Sequence, residues 1–321
     1  MKISLDGGAL CANQESRFGN YFFSLNLIQA LDSYDAENHY SIYAFCKKPK
    51  ELELLSKTVY KQLTPKKMWM RLRVSLEERT NKHDIFLALN QAIPTTSSRI
   101  VAFSHGLSFY YHRDLYPDSY SILMKQLMTM NERATFIIVS SSKVEQELAS
   151  VLQNKARVVV IPFGIPLDFI TYSKTRRRKY FLHVGMNHPI KNFEFLMRAF
   201  SEVKKDRRFR DYKLIRIAKS SLSRGKLRKL YQEAAAYVTS SLYESFNLPV
   251  LEALSQNCPV VGLRSAIIPE FYDFVNVADN RQDFISMMKK IASADSKKIN
   301  QTKLRNKFSW QNYVKKLTKL Y

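Results

Sequence analysis

Two glutamates eight positions apart, Glu244 and Glu252, are the side chains best placed to do chemistry in this chain. They lie in Tyr237-Val-Thr-Ser-Ser-Leu-Tyr-Glu-Ser-Phe-Asn-Leu-Pro-Val-Leu-Glu-Ala-Leu254. The segment opens on a run of strand character. Pro249 suits the first turn of a helix, where a missing N–H costs nothing. Glu244 therefore falls in a strand-to-helix loop, and Glu252 about one turn inside the helix. The start of that helix gathers unpaired amides and partial positive charge, which suits a diphosphate. A carboxylate beside it can accept hydrogen bonds from ribose hydroxyls. A solvated pair of glutamates at this spacing is the competing explanation.

The elements that must hold this loop follow from hydrophobic patterning. Short apolar runs near 1–6, 39–45, 84–90, 99–104, 135–140 and 157–163 read as buried strands. Helical-period stretches lie near 20–31, 67–80, 119–132 and 143–153. The alternation resumes at 180: strand 180–185, helix 192–204, strand 213–218, helix 226–235, strand 237–240, helix 249–256, strand 259–263. Strands alternating with helices predict parallel sheets covered on both faces. The expected fold is α/β, with two Rossmann-like doubly wound domains. Ligands of such sheets sit beyond the carboxyl ends of the strands, so the groove between the domains is the expected ligand site. The apolar-free stretch Ser173–Lys179 is the expected hinge. It divides a domain over 1–172 from one over 173–305.

The Glu244–Glu252 segment resembles the E-x7-E signature of retaining glycosyltransferases of the GT-B fold, especially glycosyltransferase family 4. The match runs through Ser241, Tyr243, Glu244, Phe246, Leu248, Pro249, Leu251, Glu252, Ala253, Pro259 and Val260. The resemblance implies that Glu244 contacts the transferred sugar and Glu252 the nucleotide ribose. It turns the amides of Phe246, Asn247 and Leu248 toward sugar and phosphates. Phe181–Phe193 is similar to the family's glycine–lysine–asparagine loop. That similarity implies that Gly185 approaches the donor and that Lys191 neutralises the diphosphate as it leaves. Arg17-Phe-Gly19-Asn-Tyr resembles the family's first glycine loop, with Gly19 near the donor or simply in a turn. Ala102–Phe109 resembles the strand end near the reacting sugar and gives His105 a catalytic role. Val159–Ile165 resembles the end of the first domain. Phe308-Ser-Trp310 and the amphipathic stretch behind it resemble the closing element, so 306–321 is expected to return toward the first domain. His183 is expected in the core, and His188 in a loop without a role.

The chain departs from the family pattern at several places. Met186 stands where the family has a phosphate-binding arginine, and Arg264, Arg216 or Lys219 are the candidate replacements. Ser245 and Asn247 replace glycines, which narrows the room for backbone to approach a donor. The glycine pair before Glu270 is absent. The stretch between strand 213–218 and Lys226 is short, where the family places a further helix and strand that often line the base pocket.

Bulk properties bound the partners. The 321 residues are 45% hydrophobic, ample for two cores. The net charge of +23 is uneven: residues 1–170 hold 20 Lys and Arg against 16 Asp and Glu, and residues 171–321 hold 31 against 12. Such a field concentrates anions. A nucleotide diphosphate or an anionic membrane fits it. A nucleic acid is disfavoured, because no nucleic-acid motif is present. Lys66-Lys-Met-Trp-Met-Arg-Leu-Arg-Val74 is either a membrane-surface segment or an ordinary buried helix. No stretch approaches the ~20 apolar residues of a membrane span. The three cysteines, Cys11, Cys46 and Cys258, are odd in number and lack metal-ligand spacing. They are expected as free thiols of a reducing, cytoplasmic compartment, with peripheral membrane contact allowed.

The resemblance implies a retaining hexosyltransferase needing neither metal nor cofactor, in keeping with the lack of an Asp-x-Asp motif. GDP-mannose or a UDP-sugar is the expected donor, and a glycan, glycoprotein or lipid-linked acceptor the partner. A catalytically inactive sugar-nucleotide-binding subunit is the alternative. A homodimer stays open.

Overall fold

The computed structural model describes residues 1–55, 57–153, 155–173, 175–219, 222–292 and 299–321. In chain order, the first half carries β1 (Lys2–Asp6), α1 (Gly19–Tyr34), β2 (His39–Ala44), β3 (Thr58–Gln62) and α2 (Ser75–Thr80). It continues with β4 (Ile85–Ala88), β5 (Arg99–Ser104), α3 (Ser108–Tyr111), α4 (Tyr120–Arg133), β6 (Phe136–Val139), α5 (Ser142–Val151) and β7 (Arg157–Val160). The second half carries β8 (Tyr180–Val184), α6 (Phe193–Lys204), β9 (Lys213–Ile217), α7 (Arg224–Glu233), β10 (Ala236–Thr239) and α8 (Leu248–Ser255). It ends with β11 (Val260–Leu263), β12 (Asn276–Ala278), α9 (Arg281–Ala292), α10 (Gln301–Lys307) and α11 (Trp310–Thr318).

The chain forms two compact units. One comprises 1–13, 19–164 and 310–321; the other comprises 14–18 and 165–309. The divisions fall after Gly164 and Ser309, against 172 and 305 from the sequence.

In the first unit seven parallel strands run in the order β3-β2-β1-β4-β5-β6-β7. The order reverses direction between β1 and β4, whose carboxyl ends carry Asp6 and Asn90. Asp6 accepts from the backbone N–H of Gly8 and from the backbone and side chain of Asn90. Burial pushes its carboxyl up to about 6 against those hydrogen bonds. α11 joins this unit: Trp310 and Tyr313 ring-pack with Phe23 of α1. β3 is a finding beyond the sequence-predicted strands. Its sequence, Thr-Val-Tyr-Lys-Gln, is half polar because it is an edge strand with Val59 exposed.

Cys11 and Cys46, expected as free thiols, form a disulfide with Cα atoms 5.4 Å apart. The turn after β1 lies against the end of β2, where Gly7 N–H donates to Tyr43 O, so 35 positions of sequence close into one contact. Cys258 alone is free, and it is buried. The compartment inferred from three free thiols loses its basis. Among the described residues, no helix is long and apolar enough to cross a membrane.

In the second unit five parallel strands run β12-β11-β10-β8-β9. Phe181, Val238 and Val261 of the central strands pack on Leu196, Phe200 and Val203 of α6 and on Phe284 and Met288 of α9. β9 is the sheet edge, and α7 begins seven residues after it, capped by Ser223. Residues 220–221 of the shortened stretch lie outside the described residues. The direction reverses between β8 and β10, so the loops that leave these two strands flank the switch point of the sheet.

Candidate active site in the second unit

The loop after β8 (185–192) and the loop after β10 (240–247) meet at that switch point. Ser240 Oγ donates to Lys191 O and Asn192 O, and Leu242 N–H donates to Ile190 O. Asn192 takes a left-handed conformation (φ 48°) at the entry to α6, which ends the 3-10 turn carrying Lys191. The stitched loops bring Lys191 Nζ to 2.6 Å from Glu244 Oε1, to which Ser241 Oγ also donates at 2.6 Å. Both charged side chains are largely but not fully buried, at 17% and 12% exposure. A pair in such surroundings interacts more strongly than one in water.

Gly185 leaves β8 beside this pair. A Cβ there would lie 3.4–3.5 Å from His183 Nε2 and the Lys191 stem. His183 is a core residue, as the sequence predicts, but it backs the site. Its Nδ1 faces Val238 O at 3.0 Å, so it donates there and Nε2 is left with a lone pair, buried without a hydrogen-bond partner. Burial holds the ring neutral, lowering its pKa to about 4, and the Lys191 and Arg216 charges add to this. Arg216, in register with His183 on the neighbouring strand, donates to Asn187 Oδ1 at 2.7 Å and lies over the Phe193 ring. Of the three cations considered as phosphate-binding candidates, Arg216 is the one tied to the β8 loop. Arg264 instead pairs with Asp279 at 2.5 Å beside Tyr272, and Lys219 pairs with Glu15.

Glu252 belongs to a different cluster. It is 3% exposed, with Arg224 Nη1 at 2.8 Å from Oε1 and the Tyr231 hydroxyl donating to Oε2 at 3.0 Å. Burial raises its pKa, and Arg224 opposes the rise. Arg224 also grips Asp168 through Nε (2.7 Å) and stacks over Phe169. The two glutamates thus have separate partners, and Tyr237 lies within the electrostatic reach of both.

The turn before α8 connects the clusters. Asn247 adopts φ 67°, ψ 67°, the left-handed region that glycine enters most freely. Asparagine tolerates that region best after glycine. Its side chain folds inward, donating to Ala266 O at 2.9 Å, rather than projecting across the amide end of the helix. The side chain of Asn247 makes no capping hydrogen bond to the first turn of α8. Phe246 anchors the turn from beneath, its ring packed on Phe271 and Phe308. Leu248 is buried beside it.

His105 and Gly19 belong to the first unit. His105 follows directly on β5 and donates from Nε2 to Leu89 O at 2.7 Å, with burial lowering its pKa. Gly19 opens α1 with open space where a Cβ would stand. Sequence reasoning did not anticipate roles for Ser241, Arg224 or Tyr231. Ser241 was within the matched segment, whereas Arg224 offered no local signal.

Comparison with known proteins agrees with this architecture. Residues 178–293 match the family model described as Glycosyl transferases group 1. The chain is 26% identical to the O-antigen chain mannosyltransferase B of Escherichia coli, over 86% of this chain and 81% of that one. Sucrose-phosphate synthase from Thermosynechococcus elongatus superposes with a TM-score of 0.75 at 15% identity, covering 100% of this chain and 98% of that chain. TarM of S. aureus, solved with fondaparinux, alpha-GlcNAc-glycerol and UDP, gives 0.72 at 11% identity and 99% of each chain. The two Rossmann-like units are thus those of GT-B glycosyltransferase structures, and the unit that holds Lys191, Glu244 and Glu252 is the one similar in sequence to glycosyl transferases group 1.

Proposed function

We propose that the chain is a retaining, metal-independent glycosyltransferase that takes a hexose from a nucleoside-diphosphate sugar. The observation that carries this is the Lys191–Glu244 pair, set between the two loops at the switch point of a parallel sheet. Lys191, Arg216 and the amide end of α8 supply positive potential for a diphosphate leaving group. Charge grows on that group as the sugar departs, so fixed cations act more strongly on the transition state than on the bound donor. On donor binding, Lys191 turns from Glu244 to the phosphates, and Glu244 accepts from sugar hydroxyls. Ser241 holds the carboxylate in place. Glu252 accepts a ribose hydroxyl on a lone pair left over by Arg224 and Tyr231.

GDP-mannose is the first donor to test, since the E. coli relative is named a mannosyltransferase; a UDP-sugar is the second, since TarM was solved with UDP. The proposed acceptor is a glycan or lipid-linked sugar. Calorimetry with UDP-, GDP- and dTDP-sugars tests the proposal. One donor should bind, and Lys191→Met should lower the turnover of that donor about 100-fold, the ~2.7–4 kcal/mol typical of a lost charge-stabilising group. Failure of every donor to bind, or unchanged turnover by Lys191→Met, removes it.

A further inference from the structure

We propose, on the reading that Lys191 meets a donor's diphosphate, that His183 is a positioning residue for Lys191. Once the donor draws Lys191 off Glu244, the Nε2 lone pair of His183 accepts one ammonium N–H and leaves the others aimed at the phosphates. His183 lies near the carboxyl end of β8, two residues before Gly185. Its Nδ1 faces Val238 O of the neighbouring β10 at 3.0 Å. A carbonyl can only accept, so Nδ1 carries the proton and Nε2 the lone pair. That lone pair is buried and meets no donor among the described residues. Buried acceptors are seldom left so.

The surroundings restrict what can fill it. The ring is held between Phe193 and Tyr237, with centroids 5.6 and 6.4 Å away. Phenylalanine has no proton to give, and Tyr237 spends its hydroxyl on Val184 O. Lys191 and Arg216 are the cations whose charge the imidazole feels. The Arg216 guanidinium donates to Asn187 Oδ1 and lies 4.1 Å over the Phe193 ring, so it is already committed. Lys191 has a path, and Gly185 supplies it. The point where a side chain of Gly185 would begin is 3.4 Å from His183 Nε2 and 3.5 Å from both Cγ and Cδ of Lys191. Imidazole and lysine stem therefore face each other across a space that glycine leaves open. The ammonium, two bonds beyond Cδ, can swing into it. A lysine ammonium is a point charge on a flexible four-carbon stem. When Glu244 turns to sugar hydroxyls, a fixed lone pair beside that stem limits its wandering, and preorganised charge is what lowers the barrier as the diphosphate leaves. A charged imidazole could not accept, and burial holds this one neutral.

Two substitutions separate this role from the tie to β10. Asparagine matches the Nδ1 position and keeps the bond to Val238, but has nothing at Nε2. Glutamine reaches the Nε2 position with an acceptor oxygen. His183→Asn should lower turnover about tenfold with little change in donor KM, the size of one hydrogen bond to a charged group. His183→Gln should recover most of that loss, and in a Lys191→Met background His183→Asn should add nothing. In the full parent chain carrying nitrogen-15-labelled histidine, saturating GDP or UDP should move the His183 Nε2 resonance upfield, and the shift should vanish in Lys191→Met. This spectrum decides the matter even if neither His183 variant folds. Parent turnover in His183→Asn, a glutamine variant slower than the asparagine one, or an Nε2 resonance that a bound diphosphate leaves in place overturns the inference while the donor reading stands. Unchanged turnover in Lys191→Met, or no binding of either nucleotide, removes the donor reading and this inference with it.

Discussion

Replacing Arg224 with methionine isolates the contribution of one buried ion pair to the second unit. The guanidinium is shared between Glu252 and Asp168, and it caps Phe169. Methionine keeps much of the stem's volume and removes the charge. Glu252 would then be a buried carboxylate, 4% exposed at its side chain, with Tyr231 as its remaining partner of the pair. Breaking a buried pair from one side costs about 3–5 kcal/mol. Arg224 keeps 23% of its side chain in water, so the lower end, about 3 kcal/mol, is expected. For a unit of this size that corresponds to a fall of roughly 6–12 °C in melting temperature. Glu252→Gln should cost less, about 1 kcal/mol, because the tyrosine bond can be kept and Arg224 retains Asp168. The double variant should show a coupling of about 2 kcal/mol in a cycle measured by urea unfolding, followed with a probe in the second unit. A loss below about 1 kcal/mol for Arg224→Met, or a coupling below about 0.5 kcal/mol, would refute the view that Glu252 is held by Arg224.

Other expectations follow from the titrating groups and the turn before α8. Asp6 binds a proton more tightly folded than unfolded, so its contribution to stability is present below about pH 4 and is lost as pH rises through about 6. His183 is the reverse: its contribution is present above about pH 6.5 and is lost as pH falls toward about 4. Each amounts to about 3 kcal/mol. Urea midpoints followed from pH 4 to 7 should therefore show Asp6→Asn gaining on the parent as pH rises and His183→Gln gaining as it falls; profiles parallel to the parent would contradict both. At Asn247, alanine should cost about 2–3 kcal/mol, from left-handed strain and the lost bond to Ala266. Glycine, free of that strain, should stay within about 1 kcal/mol, and equal losses in the two variants would show that the backbone there is not strained.

The parts of the fold visible in the sequence were those that local patterning determines. The central strands are continuous apolar runs because both faces of a parallel sheet are covered, and Ile85–Ala88 and Phe136–Val139 are of this kind. β3 escaped because an edge strand need not be apolar on both faces. At the site, Lys191, Gly185 and Glu244 could be expected together through family resemblance, since each stands in a loop that leaves a sheet strand. The capture of Glu252 by Arg224 could not be foreseen. It joins the first turn of α7 to α8 across 28 positions, and Arg224 is one cation among many in a strongly basic stretch. The disulfide was hidden for the same reason: spacing along the chain says nothing of two loops that meet at neighbouring strand ends.

The return of α11 to α1 has a temporal consequence. A ribosome makes the seven-stranded unit first but withholds its last helix until everything between 165 and 309 has been synthesised. Until then the Phe23 side of α1 lacks Trp310 and Tyr313 and is a sticky patch in the nascent chain. The first half must wait, incompletely sealed, for the second half to emerge.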